Sequence, residues 1–261
     1  MRADFLAKGW VLFPYEAQLA AWASAAFEVA DARVRDPAEA RWLRCGGTWF
    51  VGVDSLPNDA RGRVDGSGAL SGAALEMAQA IYGPLPMHRG QVSVIYPGYP
   101  KPYEDESESA FGYRLRRDAA HVDGLLPVGQ ARRRHLMERH AYILGLPLSE
   151  CSADASPLTI WEGSHTRMRD VFARALSSTP QDAWDQIDLT EIYQTARREV
   201  FDTCPRVTVP AQPGEAYLVH RLALHGVAPW QDGATAPEAG RMIVYFRPEW
   251  DTPSDAWLSA P

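Results

Sequence analysis

Leu19, Trp22, Ala23, Ala26, Phe27 and Ala30 recur at intervals of three and four, the spacing of one helix face. The stretch just before them, GWVLFP, reads as a short strand, and Pro14 suits the first turn of the helix. The same spacing returns in Leu70, Ala73, Ala74, Met77 and Ile81, and Gly83-Pro84 stops it. The first third of the chain is therefore mixed, with amphipathic helices that need a sheet to cover.

From residue 91 the period changes. QVSVIYP, AYILGLPL, PLTIW, RVTVP, EAYLVH and RMIVYF are short β-branched or aromatic runs bounded by Gly, Pro, Asp and Ser. AQPGE between two of them is a turn by composition. Many short strands with turn signals predict a sandwich or barrel. One helical insertion, about 166–200, interrupts them, with Val171, Phe172 and Leu176 followed by Trp184, Ile187, Ile192, Tyr193 and Ala196. YPKPYEDESESAFG, residues 99–112, is acidic and poor in apolar residues, so a mobile loop is expected there, placed where a lid would lie. No repeat and no break in composition divides the chain, so one domain over 1–261 is expected.

Composition narrows the classes. The 261 residues carry a formal net charge of −7, with 46% hydrophobic and 23% charged residues. That balance points away from nucleic acid and from an acidic membrane as partner. Three cysteines with no C-x-x-C pair fit a reducing compartment. No apolar run approaches the roughly 18 residues of a membrane span. With no signal-like start either, a cytoplasmic protein acting on a small molecule is expected.

The chemistry begins at RDAAHVDGLLP. On a strand, residues i and i+2 face the same way, so His121 and Asp123 can present an imidazole and a carboxylate to one point. Alone, the pair is equally a polar surface turn. PGEAYLVHRLALHGVAPW supplies a third ligand in His220 or His225. His225 is preferred, because Gly226 beside it would let backbone and a cosubstrate approach, whereas His220 ends an alternating strand and suits a core role. Two histidines and one carboxylate on one side of an ion leave the opposite positions open, which suits non-haem Fe(II). A closed structural zinc site would need a fourth ligand, usually cysteine. Sixteen residues after His225, Arg241 begins the last strand and could hold a dicarboxylate by a two-point pair. Arg247 shares its face but lies roughly 20 Å further along, so the two cannot serve one small ligand. Ser164 and His165 are adjacent, which argues against a catalytic dyad.

These residues resemble the phytanoyl-CoA dioxygenase family of Fe(II)- and 2-oxoglutarate-dependent oxygenases. FLAKGWVLFP resembles the family's opening strand, RDAAHVDG its H-x-D motif, SPLTIWEGSH its segment ending in Gly-Ser-His, and PGEAYLVHRLALHGVAPW…GRMIVYF its distal histidine and cosubstrate arginine. CGGTWFVGVD, around residues 46–54, matches no family motif. The resemblance implies a mainly β fold, a double-stranded β-helix (a cupin-like jelly-roll barrel) with flanking helices. It implies His121, Asp123 and His225 on iron and Arg241 on the distal carboxylate of 2-oxoglutarate. It implies O₂ as the second cosubstrate and hydroxylation rather than halogenation, since related halogenases replace the carboxylate that Asp123 keeps. The family often has a polar residue two after the distal histidine. Here it is Val227, so Thr159 or Tyr142 is expected to supply that hydroxyl.

Two other classes fit the same fold: a non-catalytic jelly-roll binding protein, and a zinc-dependent hydrolase using the same open site. Intact ligands argue against the first, and Arg241 is superfluous in the second. The substrate is expected to be anionic, bearing a carboxylate or a phosphate. Arg114, Arg116 and Arg117 precede the metal motif and Arg132, Arg133, Arg134 and Arg139 follow it, with Arg117 the candidate substrate contact.

Overall fold

The computed structural model describes residues 1–103 and 106–261. Its strands are β1 (Trp10–Phe13), β2 (Leu43–Arg44), β3 (Trp49–Gly52), β4 (Gln91–Ile95), β5 (Leu125–Val128), β6 (Arg133–Leu136), β7 (Tyr142–Pro147), β8 (Leu158–Trp161), β9 (Arg206–Val209), β10 (Ala216–His220), β11 (His225–Val227) and β12 (Arg241–Phe246). Its α-helices are α1 (Arg2–Lys8), α2 (Ala17–Val34), α3 (Ala73–Tyr82), α4 (Glu108–Arg117), α5 (Ser164–Leu176), α6 (Thr190–Thr203) and α7 (Ser254–Ser259). No helix among the described residues is long and apolar enough to cross a membrane.

The large sheet has the order β1-β10-β7-β12-β4-β3-β2 and the small one β11-β8-β9, with β5-β6 a separate hairpin. A bridge between His121 and His225 adds a further rung at the free edge of β11. From β4 onward the chain alternates between the two sheets: β4 large, His121 small, β7 large, β8 and β9 small, β10 large, β11 small, β12 large. That winding is a double-stranded β-helix, or jelly roll. No strand pairing among the described residues joins the sheets into a closed barrel.

Period-two alternation sorts the side chains into layers. On β12, Met242, Val244 and Phe246 join Leu144, Leu218 and residues of α2 and α3 in one apolar core. The intervening Ile243 packs with Ile143, Tyr217 and Val219 against Leu158 and Ile160 of the small sheet. Outside the small sheet, Trp161 meets Met168 and Phe172 of α5 and Tyr193 and Val200 of α6. The site therefore lies between two sheets, each backed by helices.

Helix starts differ from the spacing for identifiable reasons. Pro14 precedes α2 rather than opening it. α3 begins at Ala73, because the Glu16 carboxylate accepts the Ala73 N–H at 2.9 Å and ends the preceding coil there. Within 99–112, α4 starts at Glu108 with the Ser107 hydroxyl accepting from Ala110 N–H at 3.2 Å. Residues 104 and 105 of that expected loop lie outside the described residues. The segment around 46–54, silent in the sequence, supplies β3 and widens the large sheet.

His220 is buried in the core, its ring 4.9 Å from that of His165. Burial, then Arg221 and His165 beside it, hold its pKa well below the usual imidazole value. The folded state thus refuses a proton that the unfolded chain binds near pH 6.5. The corresponding stability is complete above that pH and falls as the solution is acidified. Urea midpoints should be lower at pH 5.5 than at pH 7.5, and His220→Gln should shrink the difference. An equal difference in both proteins would clear His220 of this role.

Candidate metal centre

α4 ends in a sharp turn, with Asp118 and Ala119 both at φ 53°. The turn is fixed from two sides. The Asp118 carboxylate takes a two-point pair from Arg206 of β9, at 2.6 and 3.1 Å, and its carbonyl accepts Val227 N–H at 3.0 Å. The next residues lie along β11: His121 N–H donates to His225 O at 2.8 Å and His225 N–H to His121 O at 3.0 Å. Val122 then turns into the outer apolar cluster, which leaves His121 and Asp123 on the inner side.

Each imidazole is oriented by its own backbone. Nδ1 of His121 lies 3.1 Å from Ala119 O, and Nδ1 of His225 lies 2.9 Å from Ala223 O. With Nδ1–H donating to a carbonyl, Nε2 is left as a bare lone pair, the tautomer a metal requires. Both Nε2 atoms face Asp123: His121 is 3.2 Å from Oδ1 and His225 is 3.7 Å from Oδ2. The three donor atoms all lie within 4.8 Å of one another. Burial alone would raise the Asp123 carboxyl, but Arg247 and then the two imidazoles hold it well below the usual carboxylate range. Burial pushes His225 down to about 4, so both groups are in their ligating forms at neutral pH. His121 is 47% exposed, against 9% for His225, so the triad opens toward solvent on one side.

The triad borders a small cavity of about 50 Å³ between the sheets. Gln91, Ser93, Tyr217 and Tyr245 of the large sheet line it, with Trp49 of β3 at one wall. Arg247 also lines it. Nη1 donates to Asp123 Oδ2 at 3.1 Å, Nη2 donates to Gln91 Oε1, and the backbone N–H donates to His88 Nε2 at 2.7 Å.

The other expected residues fall in four places. Arg241 is buried on the inward face of β12, beside the Tyr217 and Tyr245 phenols, and its Nη1 has no hydrogen-bond partner among the described residues. No carboxylate pairs with it among the described residues. It does not line the metal-bearing cavity; the two tyrosines do, their hydroxyls 2.9 Å apart. Tyr142 is corrected: it stacks on Tyr82 in the helix-side core, and its neighbour Ile143 faces the cavity instead. Thr159 is corrected for the same reason, since Leu158 and Ile160 take the inward face of β8. Arg117 is also corrected. Its guanidinium lies 4.5 Å from the Phe201 ring centroid, away from the cavity lining.

Three other members of the basic cluster have structural partners. Arg114 pairs with Glu106, and Arg134 Nη1 donates to Leu125 O at 3.2 Å. Arg133 pairs with Asp188 at 2.5 Å and Glu191 at 3.1 Å. Ser164 and His165 open α5 rather than sit on a strand, and each bonds to backbone, at Leu224 N and Leu6 O. Trp49, Gln91, Tyr217 and Tyr245 were not singled out by sequence. The alternation Arg241-Ile243-Tyr245-Arg247 carries a signal for Tyr245, and nothing in the sequence marks Trp49.

Gly226 lines the cavity and has a further purpose besides the one expected. A Cβ there would collide with the Asp118 carbonyl oxygen, so the glycine admits the turn that carries His121. Gly226→Ala must displace that turn or the strand. A loss of about 1–3 kcal/mol is expected, read as a lower urea midpoint, with a larger loss in metal affinity. Unchanged stability and metal binding would show that the backbone relaxes freely.

No family model matches the chain, and no curated protein does. Similar solved structures are found. EvdMO1 superposes with a TM-score of 0.51 at 16% identity, covering 94% of this chain; this chain spans about half the length of that one, 48%. SnoK, a non-haem α-ketoglutarate-dependent carbocyclase from nogalamycin biosynthesis, gives 0.47 at 14% identity, covering 94% of this chain and 82% of that one. EctD from S. alaskensis, solved with 2-oxoglutarate and 5-hydroxyectoine, gives 0.44 at 14% identity, covering 94% and 74%. At these identities the likeness is one of fold.

Proposed function

We propose that this protein is an Fe(II)- and 2-oxoglutarate-dependent dioxygenase that hydroxylates a small anionic organic molecule. The observation that carries the reading is the convergence of two tautomer-locked imidazoles and one ionised carboxylate on a single point with one open side. Such a donor set suits Fe(II), which needs free positions for two further ligands. When bound, the iron supplies O₂ activation coupled to oxidative decarboxylation of 2-oxoglutarate to succinate.

The chain's own residues supply position and charge. His121, Asp123 and His225 hold the ion. Arg241, a fully buried cation with an unpartnered Nη1, is suited to a dicarboxylate's far end. An unpaired buried charge is costly, so a ligand that pairs with it is the economical explanation. Trp49, Leu158 and Val227 in the cavity wall keep water from the reacting carbon. A zinc hydrolase would leave Arg241 without a purpose, and a non-catalytic binding protein would not need two histidines locked with Nε2 free.

With Fe(II), 2-oxoglutarate and air, the protein should release succinate, stimulated by the right member of a metabolite library. His225→Ala should release none. A wild-type protein that binds neither Fe(II) nor 2-oxoglutarate by calorimetry would overturn the reading.

A further inference from the structure

Apart from the two histidines, Arg247 is the one basic residue lining the metal cavity among the described residues, and with Arg241 assigned to the cosubstrate its only carboxylate partner there is Asp123. The two share a strand face but are six residues apart, roughly 20 Å at 3.3 Å per residue, so one small dicarboxylate cannot engage both. We infer that Arg247 anchors a carboxylate of the primary substrate, making this an enzyme of organic monocarboxylic acids. The inference rests on the oxygenase reading above.

Charge supports it first. Apart from the histidines, which are neutral in their ligating forms, the charged residues of the metal cavity are Asp123 and Arg247. With Arg241 behind the tyrosines, the site carries one negative and two positive charges. A divalent ion and a dianionic cosubstrate cancel each other, so one positive charge remains. That remainder matches a single carboxylate, whereas a phosphate monoester brings a charge of about −1.5 to −2 at neutral pH.

Geometry supports it second. The only carboxylate paired with Arg247 among the described residues is Asp123, the same group that would hold the metal. A cation on Asp123 offsets the charge that now attracts the guanidinium. Nε of Arg247 has no partner among the described residues, and Gln91 engages only Nη2. The fork therefore has donors to offer in a partly desolvated place, where a two-point carboxylate pair is strongest.

Position supports it third. Arg247 lines both the metal cavity and an adjoining open chamber walled by Val53, Pro86 and Met87. A carboxylate held at this junction lies beside the triad, with an apolar wall for the rest of the molecule. Asp54, Glu138 and Glu249 also border the chamber, and Glu138 is half-buried and bonded to His140 at 3.0 Å. These acids make the chamber a poor host for a second negative charge, which again favours a monoanion over a diacid or a phosphate.

The test uses full-length protein loaded with redox-inert Zn(II) and 2-oxoglutarate. Butyrate, hexanoate and benzoate are titrated against it by calorimetry, each beside its primary amide, with phenyl phosphate as a further probe. The acids should bind more tightly than the amides and the phosphate. Arg247→Gln should remove at least about tenfold of that preference, the worth of a hydrogen-bonded charge. Its dissociation constant for 2-oxoglutarate should stay within about twofold by the same scale. Arg247→Lys, which keeps the charge and protects against misreading a folding defect, should restore part of the preference.

Several outcomes overturn the inference: acids and amides binding alike, phenyl phosphate binding best, or Arg247→Gln losing 2-oxoglutarate instead. Loss of Zn(II) in Arg247→Gln with the acid preference intact would make Arg247 a positioning residue for Asp123. If wild-type protein takes up Zn(II) but no 2-oxoglutarate, the oxygenase reading itself falls. If 2-oxoglutarate binds and no acid outbinds its amide, only the assignment of Arg247 falls.

Discussion

Asp123→Ala is expected to reduce 2-oxoglutarate turnover by on the order of 1000-fold or more, about 4 kcal/mol of lost transition-state stabilisation. Two effects act together. The carboxylate is the one charged donor of the triad, and it also restrains Arg247 at 3.1 Å. Its removal leaves two imidazoles and an unopposed guanidinium, which repels the incoming cation. The fold should survive, because the His121–His225 backbone pair and the Asp118–Arg206 pair hold the segment without it. Calorimetric Zn(II) titration and a far-ultraviolet spectrum separate the two effects: metal affinity collapses and the spectrum does not change. His220→Ala supplies the contrast, since its ring lies in the core beside Phe5 and His165. Should His220→Ala abolish metal binding while His225→Ala spares it, the triad has been misassigned.

Arg241→Ala is expected to weaken 2-oxoglutarate at least about 30-fold. Truncating one member of a buried charge pair costs about 2–5 kcal/mol, most of it from the partner left unpaired. In the ligand-free protein the same change should be neutral or stabilising, because it removes a buried cation that has no counter-ion among the described residues. Opposite signs in the free and bound states are the signature to seek. Arg241→Lys should recover only part of the affinity, since a single ammonium cannot reproduce the fork. An unchanged dissociation constant would remove Arg241 from the cosubstrate site and make Arg247 the next residue to examine.

The convergence of His121, Asp123 and His225 was legible because its geometry is local. His121 and Asp123 stand two apart on extended backbone, and a late strand supplies the third donor whatever the intervening loops do. The inward orientation of Arg241 was legible because Ile243 and Tyr245 continue its face. Tyr142 and Thr159 failed on parity. Each lies one residue from a side chain that does face the cavity, Ile143 and Leu158, and one step along a strand reverses the side chain. Residue type suggested a hydroxyl, but only the pairing register says which neighbour turns inward. Arg117 failed because proximity in sequence to a ligand is not proximity in space: the α4 turn carries it onto Phe201. Trp49 could not be read, since nothing local tells β3 that it will pair with β4 and extend the large sheet.

The reciprocal backbone hydrogen bonds between His121 and His225 also bear on how the chain can change its length. A residue inserted between Ala223 and Gly226 would turn one metal ligand outward at a stroke, and one inserted between Asp118 and His121 would break the same pairing from the other side. Neither change can be taken up gradually, because strands admit only whole-residue steps. The stretch from Pro229 to Gly240 is different, since it joins strands that are each anchored independently in their own sheets. Descendants of this sequence should therefore vary freely in length there, and a peptide tag inserted at Gly233 should leave the triad untouched where one beside Gly226 would erase it.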